Sequence, residues 1–147
     1  MSDLKSISFK YTTKNGKTNS INLSYQLFGQ PLFEAPIVLV NHALTGNSNV
    51  CGEKGWWKDL IGPGKAIDTN QYIILAFNIP GNCYDGFLIE NYQNFIAKDI
   101  AKLFLVGLEK LKINQLLMAL CLFLIFTLGP IGFLLFMIIK TIKQKQS

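Results

Sequence analysis

Arginine is absent from this sequence: all 14 basic residues are lysines. Bidentate recognition of phosphate groups relies on the planar arginine side chain, so its absence argues against a phosphate-reading surface. The net charge of +5 does not change this conclusion. It is not spread over one basic face, because three lysines lie after residue 139 and all nine acidic residues lie at or before Glu109. We therefore predict no nucleic-acid partner.

Cysteine and histidine are also scarce. The chain has three cysteines and one histidine, with no Cys-x-x-Cys pair. His42, Cys51 and Cys83 could be drawn as zinc ligands, but no pair has metal-site spacing, so no metal is predicted. The first residues form no apolar signal-peptide segment, which favours reduced thiols in the cytosol.

Charge is missing altogether between Leu117 and Ile139, and this segment accounts for the positive mean hydropathy of +0.29. An uncharged apolar stretch of more than about 20 residues is long enough to cross a bilayer as a helix. The sequence changes character abruptly near residue 116. We predict three parts: a domain over 1–116, an apolar and possible transmembrane helix over 117–139, and a basic polar tail over 140–147.

The N-terminal residues alternate between apolar and polar side chains, the period of a half-exposed strand. Residues 4–11 show this pattern, and so do residues 21–27. Asn15-Gly16 lies between them and is a strong signal for a hairpin turn. The pattern predicts an antiparallel hairpin.

Two apolar runs follow, at 37–41 and 72–78, and each leads into a glycine-containing loop. Runs of this kind are typical of parallel strands that are buried on both faces. Open α/β sheets bind their ligands at the carboxyl ends of such strands. The sequence therefore predicts an α/β domain whose site includes the loop His42–Gly46.

A long loop joins the two strands, from residue 42 to about 70. Trp56 and Trp57 either complete the core or line a substrate entrance, and core packing is the preferred interpretation. Residues 62–65 lack the spacing of a phosphate loop and are interpreted as a turn. Asp68 and Asp85 are predicted to order their loops by accepting hydrogen bonds.

Residues 94–113 show helical periodicity, with Asn94 as the predicted N-cap. Asp99 is among the charged residues that lie mostly off the apolar stripe. Gly107 lowers helix propensity, which predicts a close packing contact there. The stripe consists of Ile96, Ile100, Leu103, Phe104, Leu108 and Leu111.

Several blocks together resemble the N-terminal portion of homoserine O-acetyltransferases, which have an α/β-hydrolase fold. They are His-Ala-Leu-Thr-Gly at 42–46, Gly-Trp-Trp at 55–57, the segment 60–69, the loop 81–84 and the helix containing 97–100. The resemblance extends to about residue 117, nearly four fifths of the chain. The first block in combination with the second and third is highly specific.

The resemblance implies acetyl transfer from acetyl-CoA to the hydroxyl of homoserine, a step of methionine biosynthesis. Acetyl-CoA would be a co-substrate, with no other cofactor bound, and the family location is cytoplasmic. A serine on a Gly-x-Ser-x-Gly elbow would carry the acetyl group, activated by a histidine and an aspartate. The backbone N–H of Leu44 would be an oxyanion-hole donor. His42, Ala43, Thr45 and Gly46 would form the loop around it, with His42 structural.

The sequence departs from the family where the elbow should follow, after residues 116–117. It contains no Gly-x-Ser-x-Gly, and His42 is its one histidine. We therefore expect no catalytic nucleophile, acid or base in this chain, and no activity of the chain alone. The strand 72–78 is expected to have an unpaired side, and the domain to be marginally stable.

Two explanations for segment 117–139 remain open: translation out of frame, or a membrane anchor on a non-catalytic binding head. A separately made C-terminal fragment could also complement the chain. Whether the family donor is acetyl or succinyl is undecided.

Overall fold

The computed structural model describes residues 3–42, 45–89 and 92–113. The chain divides into two compact units, Met1–Gly107 and Leu108–Ser147. The second unit is described only over 108–113, the end of a helix. The predicted boundary at 116 and the segments 117–139 and 140–147 lie outside the described residues.

The described elements are six strands, one turn of 3₁₀ helix and one α-helix. They are β1 (Lys5–Thr12), β2 (Thr18–Gly29), β3 (Ile37–Leu39), β4 (Ile61–Gly62), β5 (Ile67–Asp68), β6 (Ile73–Phe77), the 3₁₀ turn Tyr92–Asn94 and α1 (Ala97–Lys110).

The predicted hairpin is confirmed. β1 pairs antiparallel with β2, from Lys5 opposite Tyr25 to Thr12 opposite Thr18. Gly16 closes the turn with a φ of 77°, a conformation that glycine adopts without strain. Alternation in the sequence and the Asn-Gly pair were therefore sufficient to locate both strands and their turn.

Among the described residues, the main sheet has four strands in the order β1-β2-β6-β3. β3 and β6 are parallel, as predicted, with Ile37 opposite Ile73 and Leu39 opposite Leu75. β2 pairs antiparallel with the other side of β6. Sequence patterns did not predict this pairing, which joins segments far apart in the chain. A smaller parallel ladder joins β4 to β5.

Two expectations about burial and pairing are wrong. β6 has no unpaired side, because it lies between β2 and β3, and all five of its residues are buried. β3 is not buried on both faces over 37–41: Ile37, Val38 and Leu39 are only half-buried, Val40 is buried and Asn41 is exposed. The reason is the strand order, since β3 is an edge strand in the part of the chain that the structure describes.

The long loop 45–70 supplies the layer on one face of the sheet. Val50 and Ile61 from this segment join Val40, Ile74 and Ala76 in a buried cluster. Partly buried side chains complete this layer, namely Phe28, Val38, Cys51, Trp57, Ile67 and Tyr72. The loop is therefore a structural layer, held by the apolar face that β6 turns towards it.

Helix α1 packs on Phe77 of β6. The rings of Phe77 and Phe104 stack with centroids 5.3 Å apart. Gly107 confirms the predicted close contact: a Cβ placed there would lie 2.6 Å from a methyl carbon of Leu23 and 2.9 Å from the ring of Phe77. Glycine therefore lets the helix approach the sheet at this position.

The helix begins later than predicted. Asn94 lies in the 3₁₀ turn, and the first helical residue is Ala97. The Asp99 carboxylate accepts a hydrogen bond from the backbone N–H of Ile96 at 3.0 Å, so this acid caps the helix from its first turn. Asp99 is 2% exposed although it lies off the predicted stripe, whereas Ile96 from that stripe is 46% exposed.

Candidate active site

The loops that leave β3 and β6 meet at the carboxyl end of this parallel pair. The backbone N–H of Val40 donates to the Leu75 carbonyl at 2.8 Å and extends the pairing past the end of β3. The chain then leaves the sheet through Asn41 and His42. Residues 45–48 return against the segment that follows β6.

A buried network of hydrogen bonds holds residues 45–48 against the segment that follows β6. The Ser48 N–H donates to Oδ1 of Asn78 at 2.7 Å, and the Ser48 hydroxyl donates to Oε1 of Gln26 at 2.8 Å. The amide nitrogen of Asn78 donates to Oγ of Ser24 at 2.9 Å. All four side chains are at most 3% exposed. Because buried polar groups are stable only when hydrogen-bonded, these partners fix each other's positions.

A second contact joins the two loops nearer to the protein surface. The Asn82 side-chain amide donates to the Gly46 carbonyl at 3.1 Å. The Asn82 side-chain oxygen accepts the Tyr84 N–H at 3.1 Å, which turns the loop after β6 back on itself. The loop 45–48 is thus held at both Gly46 and Ser48 by the segment following β6.

His42 contacts Trp56 of the long loop. Its ring is edge-on to that of Trp56, with centroids 6.4 Å apart. The Trp56 indole N–H donates to the carbonyl of Asn47 at 2.9 Å, so this tryptophan also supports the loop. Core packing holds for Trp57, which joins the buried cluster, and does not hold for Trp56, which is 42% exposed.

The structure describes three of the five residues predicted for the active-site loop. His42 is half-buried, Thr45 is exposed, and Gly46 is half-buried with its carbonyl bound to Asn82. Ala43 and Leu44 lie outside the described residues, so the predicted oxyanion donor stays a prediction.

Sequence patterns missed the network of Ser24, Gln26, Ser48 and Asn78. The available signal was weak. Asn78 ends an apolar run, and Ser24 and Gln26 are polar side chains that are buried within a long strand. The partners are separated by 22 to 54 residues, so no local spacing could reveal them.

Both predicted loop-ordering acids have that role. Asp68 accepts the N–H groups of Gly64 and Asn70, each at 2.9 Å, and Asp85 accepts the N–H of Phe87 at 3.0 Å. The bonds from Asn70 and Gly64 lower the pKa of Asp68. Residues 62–65 form a turn, as predicted, with the Lys65 N–H bound to the Gly62 carbonyl.

The protein also has an open groove of about 380 Å³ that includes Cys51, Ile61 and Lys65 in its lining. It shares no residue with the segments 41–48 and 78–86 that form the candidate site. Within the described ranges, no three His, Cys, Asp or Glu side chains are grouped so that they could hold a metal ion.

Comparison with solved structures defines the fold. The chain superposes on esterase E22 with a TM-score of 0.62 at 23% identity, over 77% of this chain and 38% of that one. It superposes on homoserine O-acetyltransferase from Bacillus anthracis with a TM-score of 0.60 at 24% identity, over the same two fractions. Both neighbours are α/β-hydrolases, so the described part of this chain has an α/β-hydrolase type of fold.

Sequence comparison gives the particular relatives. The chain is 40% identical over 74 residues to homoserine O-acetyltransferase of Haloarcula marismortui, and 41% identical over 73 residues to that of Corynebacterium diphtheriae. The N-terminal half of this chain is homologous to homoserine O-acetyltransferases, which confirms the resemblance seen in its motifs. No family model matches the chain.

The extent of the match is limited. It covers 44% and 50% of this chain, less than the four fifths read from the motifs, and 18% and 19% of the two relatives. The structural match covers a larger share of this chain, 77%. Among the described residues, no helix has the length and apolar character needed to cross a membrane, and the predicted span 117–139 lies outside them.

Proposed function

We propose that the loops after β3 and β6 form the oxyanion side of an acyl-transfer site of the homoserine O-acetyltransferase type. In this proposal the backbone N–H of Leu44 donates to the oxyanion of the tetrahedral intermediate. His42, Ala43, Thr45 and Gly46 form the loop that carries it, and His42 has a structural role.

One observation carries this proposal: the loop after β3 is held at both ends. It starts at the Val40 N–H bound to Leu75 and returns at the Ser48 N–H bound to Asn78. Oxyanion stabilisation requires donors that are already oriented before charge develops, because reorganising them would use up the gain. A loop fixed at its two ends by buried partners is suited to this task.

The proposed family substrates are acetyl-CoA, as the co-substrate, and the hydroxyl of homoserine. The relatives carry the name homoserine O-acetyltransferase, and 38% of the solved relative's length corresponds to this chain. A succinyl donor is the other option at the same site. No nucleic-acid partner and no further cofactor belong to the proposal.

We also propose that this chain does not complete the reaction alone. Residues 117–139 occupy the position where the family motif places its serine elbow, and the sequence has no Gly-x-Ser-x-Gly and no histidine other than His42. Without a nucleophile and its base, an oxyanion hole and substrate binding retain only a small part of the rate enhancement. A complementing C-terminal fragment would supply the missing groups.

The direct test is acetyl transfer by the purified full chain. With acetyl-CoA and homoserine, release of the CoA thiol is expected at the rate of the enzyme-free control. Homoserine-dependent thiol release above that rate, together with O-acetylhomoserine in the product mixture, would show that the chain is active by itself.

A second candidate is a single-pass membrane protein with a non-catalytic binding head. The uncharged segment Leu117–Ile139 favours it, since its length suits a bilayer. Its location would then be the membrane rather than the cytoplasm. Alkaline carbonate washing of membranes distinguishes the two: a retained chain supports the anchor, and a released chain counts against it.

A further inference from the structure

Asn78 joins three segments of the candidate site. Its backbone N–H donates to the Ser24 carbonyl at 2.9 Å, and its side chain bonds to both Ser24 and Ser48. Residue 24 belongs to β2, residue 78 follows β6, and residue 48 ends the loop after β3. One amide therefore connects two strands of the sheet to that loop.

The orientation of this amide is determined by its partners. The Ser48 N–H can only donate, so the atom facing it must be the amide oxygen, and the amide nitrogen must face Ser24 Oγ. Asn78 is 1% exposed, so water cannot replace either bond without opening the core. Substitution by an apolar residue would leave the Ser48 N–H buried without its acceptor.

The loop between Val40 and Ser48 is held at its two ends. This segment begins at Val40, whose N–H is bound to the Leu75 carbonyl, and ends at Ser48. Between these points the contacts at Gly46 and Asn47 come from Asn82 and Trp56, both of which lie nearer the surface. Asn78 is thus one of two buried anchors of the returning end, together with Gln26, which accepts a hydrogen bond from the Ser48 hydroxyl.

We propose that Asn78 is a positioning residue that fixes residues 45–48, the returning end of the loop after β3. This proposal rests on the acyl-transfer function proposed above, because that function gives the loop its purpose. The hydrogen bonds of Asn78 do not depend on it. In this view Asn78 touches no substrate, and it acts through Ser48 on the loop.

The test is amide hydrogen exchange of the full chain, with Asn78→Ala compared with Ser24→Ala. In Asn78→Ala, exchange at Ser48 is expected to accelerate at least about tenfold more than exchange at Val40, because only the former loses its acceptor. Ser24→Ala is the matched control: it removes the hydroxyl at the other end of the Asn78 amide and leaves the Ser48 bond in place. There, both amides should change by a similar factor.

The Trp56 indole N–H gives a second readout, because it bonds to Asn47 within the same loop. Its ¹⁵N–¹H resonance is expected to shift in Asn78→Ala and to stay in place in Ser24→Ala. If Asn78→Ala does not fold, Asn78→Ser is used in the same test. The introduced side chain is polar, but it is too short to reach the Ser48 N–H.

Equal acceleration at Ser48 and Val40 in the Asn78 variant, with an unmoved indole resonance, would overturn the proposal. Hydrogen exchange needs no substrate, so that result would leave the acyl-transfer proposal intact. If acetyl transfer is still absent after a relative's C-terminal part has supplied the missing nucleophile, acid and base, the meaning is the opposite: the loop loses its proposed purpose and the exchange result does not change.

Discussion

At the scale of single residues, Tyr11 and Asp99 join β1 to the start of α1. The Tyr11 hydroxyl donates to Oδ1 of Asp99 at 2.8 Å. The backbone N–H of Ile96, and then the Tyr11 hydroxyl, lower the pKa of Asp99. Burial and the neighbouring Asp99 raise the pKa of Tyr11 to about 12. This pair makes stability depend on pH at both ends of the range.

The direction of each pKa shift determines how the stability of the protein changes with pH. The pKa of Asp99 is lower in the folded state, so its contribution is present above the ordinary value of 3.8 and is lost as the pH falls through the folded value. The pKa of Tyr11 is higher in the folded state. Its contribution is therefore complete below the ordinary value of 10.0 and is lost as the pH rises towards about 12.

Tyr11→Phe is expected to lower the urea midpoint of the full chain at neutral pH. The loss should shrink below about pH 4, where Asp99 takes up protons and the difference in its pKa no longer contributes. Urea titrations followed by tryptophan fluorescence at several pH values measure this. A loss that is constant from pH 3 to pH 7 would show that the Asp99 charge is not involved.

Gly107 gives a second prediction at this scale. Gly107→Ala gains about 1 kcal/mol of helix propensity, but its methyl group would lie 2.6 Å from a methyl carbon of Leu23. We expect overpacking to dominate and to destabilise the protein by about 1–3 kcal/mol. The exposed residue Lys98 in the same helix is the control, and Lys98→Ala should change stability by less than about 0.5 kcal/mol. A more stable Gly107→Ala protein would contradict the close contact.

At the scale of elements, the two outer strands of the sheet differ in their protection. β1 is rich in polar residues, with Lys5, Ser6, Ser8 and Lys10 along its length. β3 consists of Ile37, Val38 and Leu39, all half-buried, and no described residue pairs with its outer side. An apolar edge strand is a template for pairing with other chains, whereas lysines discourage it.

Leu39→Lys is therefore expected to slow aggregation of the fragment 1–113, extending its lag time several-fold in light scattering. Ser6→Lys on β1 is the matched control, and it should leave the lag time within a factor of two. Equal effects of the two substitutions would indicate that net charge, and not the β3 edge, controls aggregation.

Elements with a local signal could be predicted from the sequence, as could the pairings of β1 with β2 and of β3 with β6, but the pairing of β2 with β6 could not. Alternation and Asn15-Gly16 located the hairpin, and an apolar run located β6. The edge position of β3 depends on β2 pairing with the far side of β6, which no local pattern encodes. The start of α1 was misplaced because Asp99 caps it from inside the helix while Ile96, an apolar residue, occupies the capping position.

The same distinction applies to the candidate site. The motif at 42–46 located the loop, because its residues are adjacent in the sequence. The anchors of that loop, Asn78 and Gln26, are 30 and 22 residues away from Ser48 and give no local signal. A buried network of this kind becomes visible only once the strands are placed side by side.

At the scale of the whole molecule, the described part provides one side of an acyl-transfer site in our proposal. The match to solved α/β-hydrolases covers 38% of their length, and the structure holds the loop after β3 firmly at both ends. The sequence contains no Gly-x-Ser-x-Gly motif and no histidine other than His42. We expect residues 1–113 to serve as a working oxyanion side when the other catalytic groups are supplied.

A chimera tests that claim most directly. Residues 1–113 are fused to the part of the Bacillus anthracis homoserine O-acetyltransferase that follows the equivalent helix, and kcat for acetyl transfer to homoserine is measured. We expect turnover by the chimera, and a loss of about 10²–10³-fold in kcat in Leu44→Pro, which lacks the proposed donor. Thr45→Ala is the control and should retain most of the activity. A folded chimera without turnover, or one indifferent to Leu44→Pro, would contradict the account.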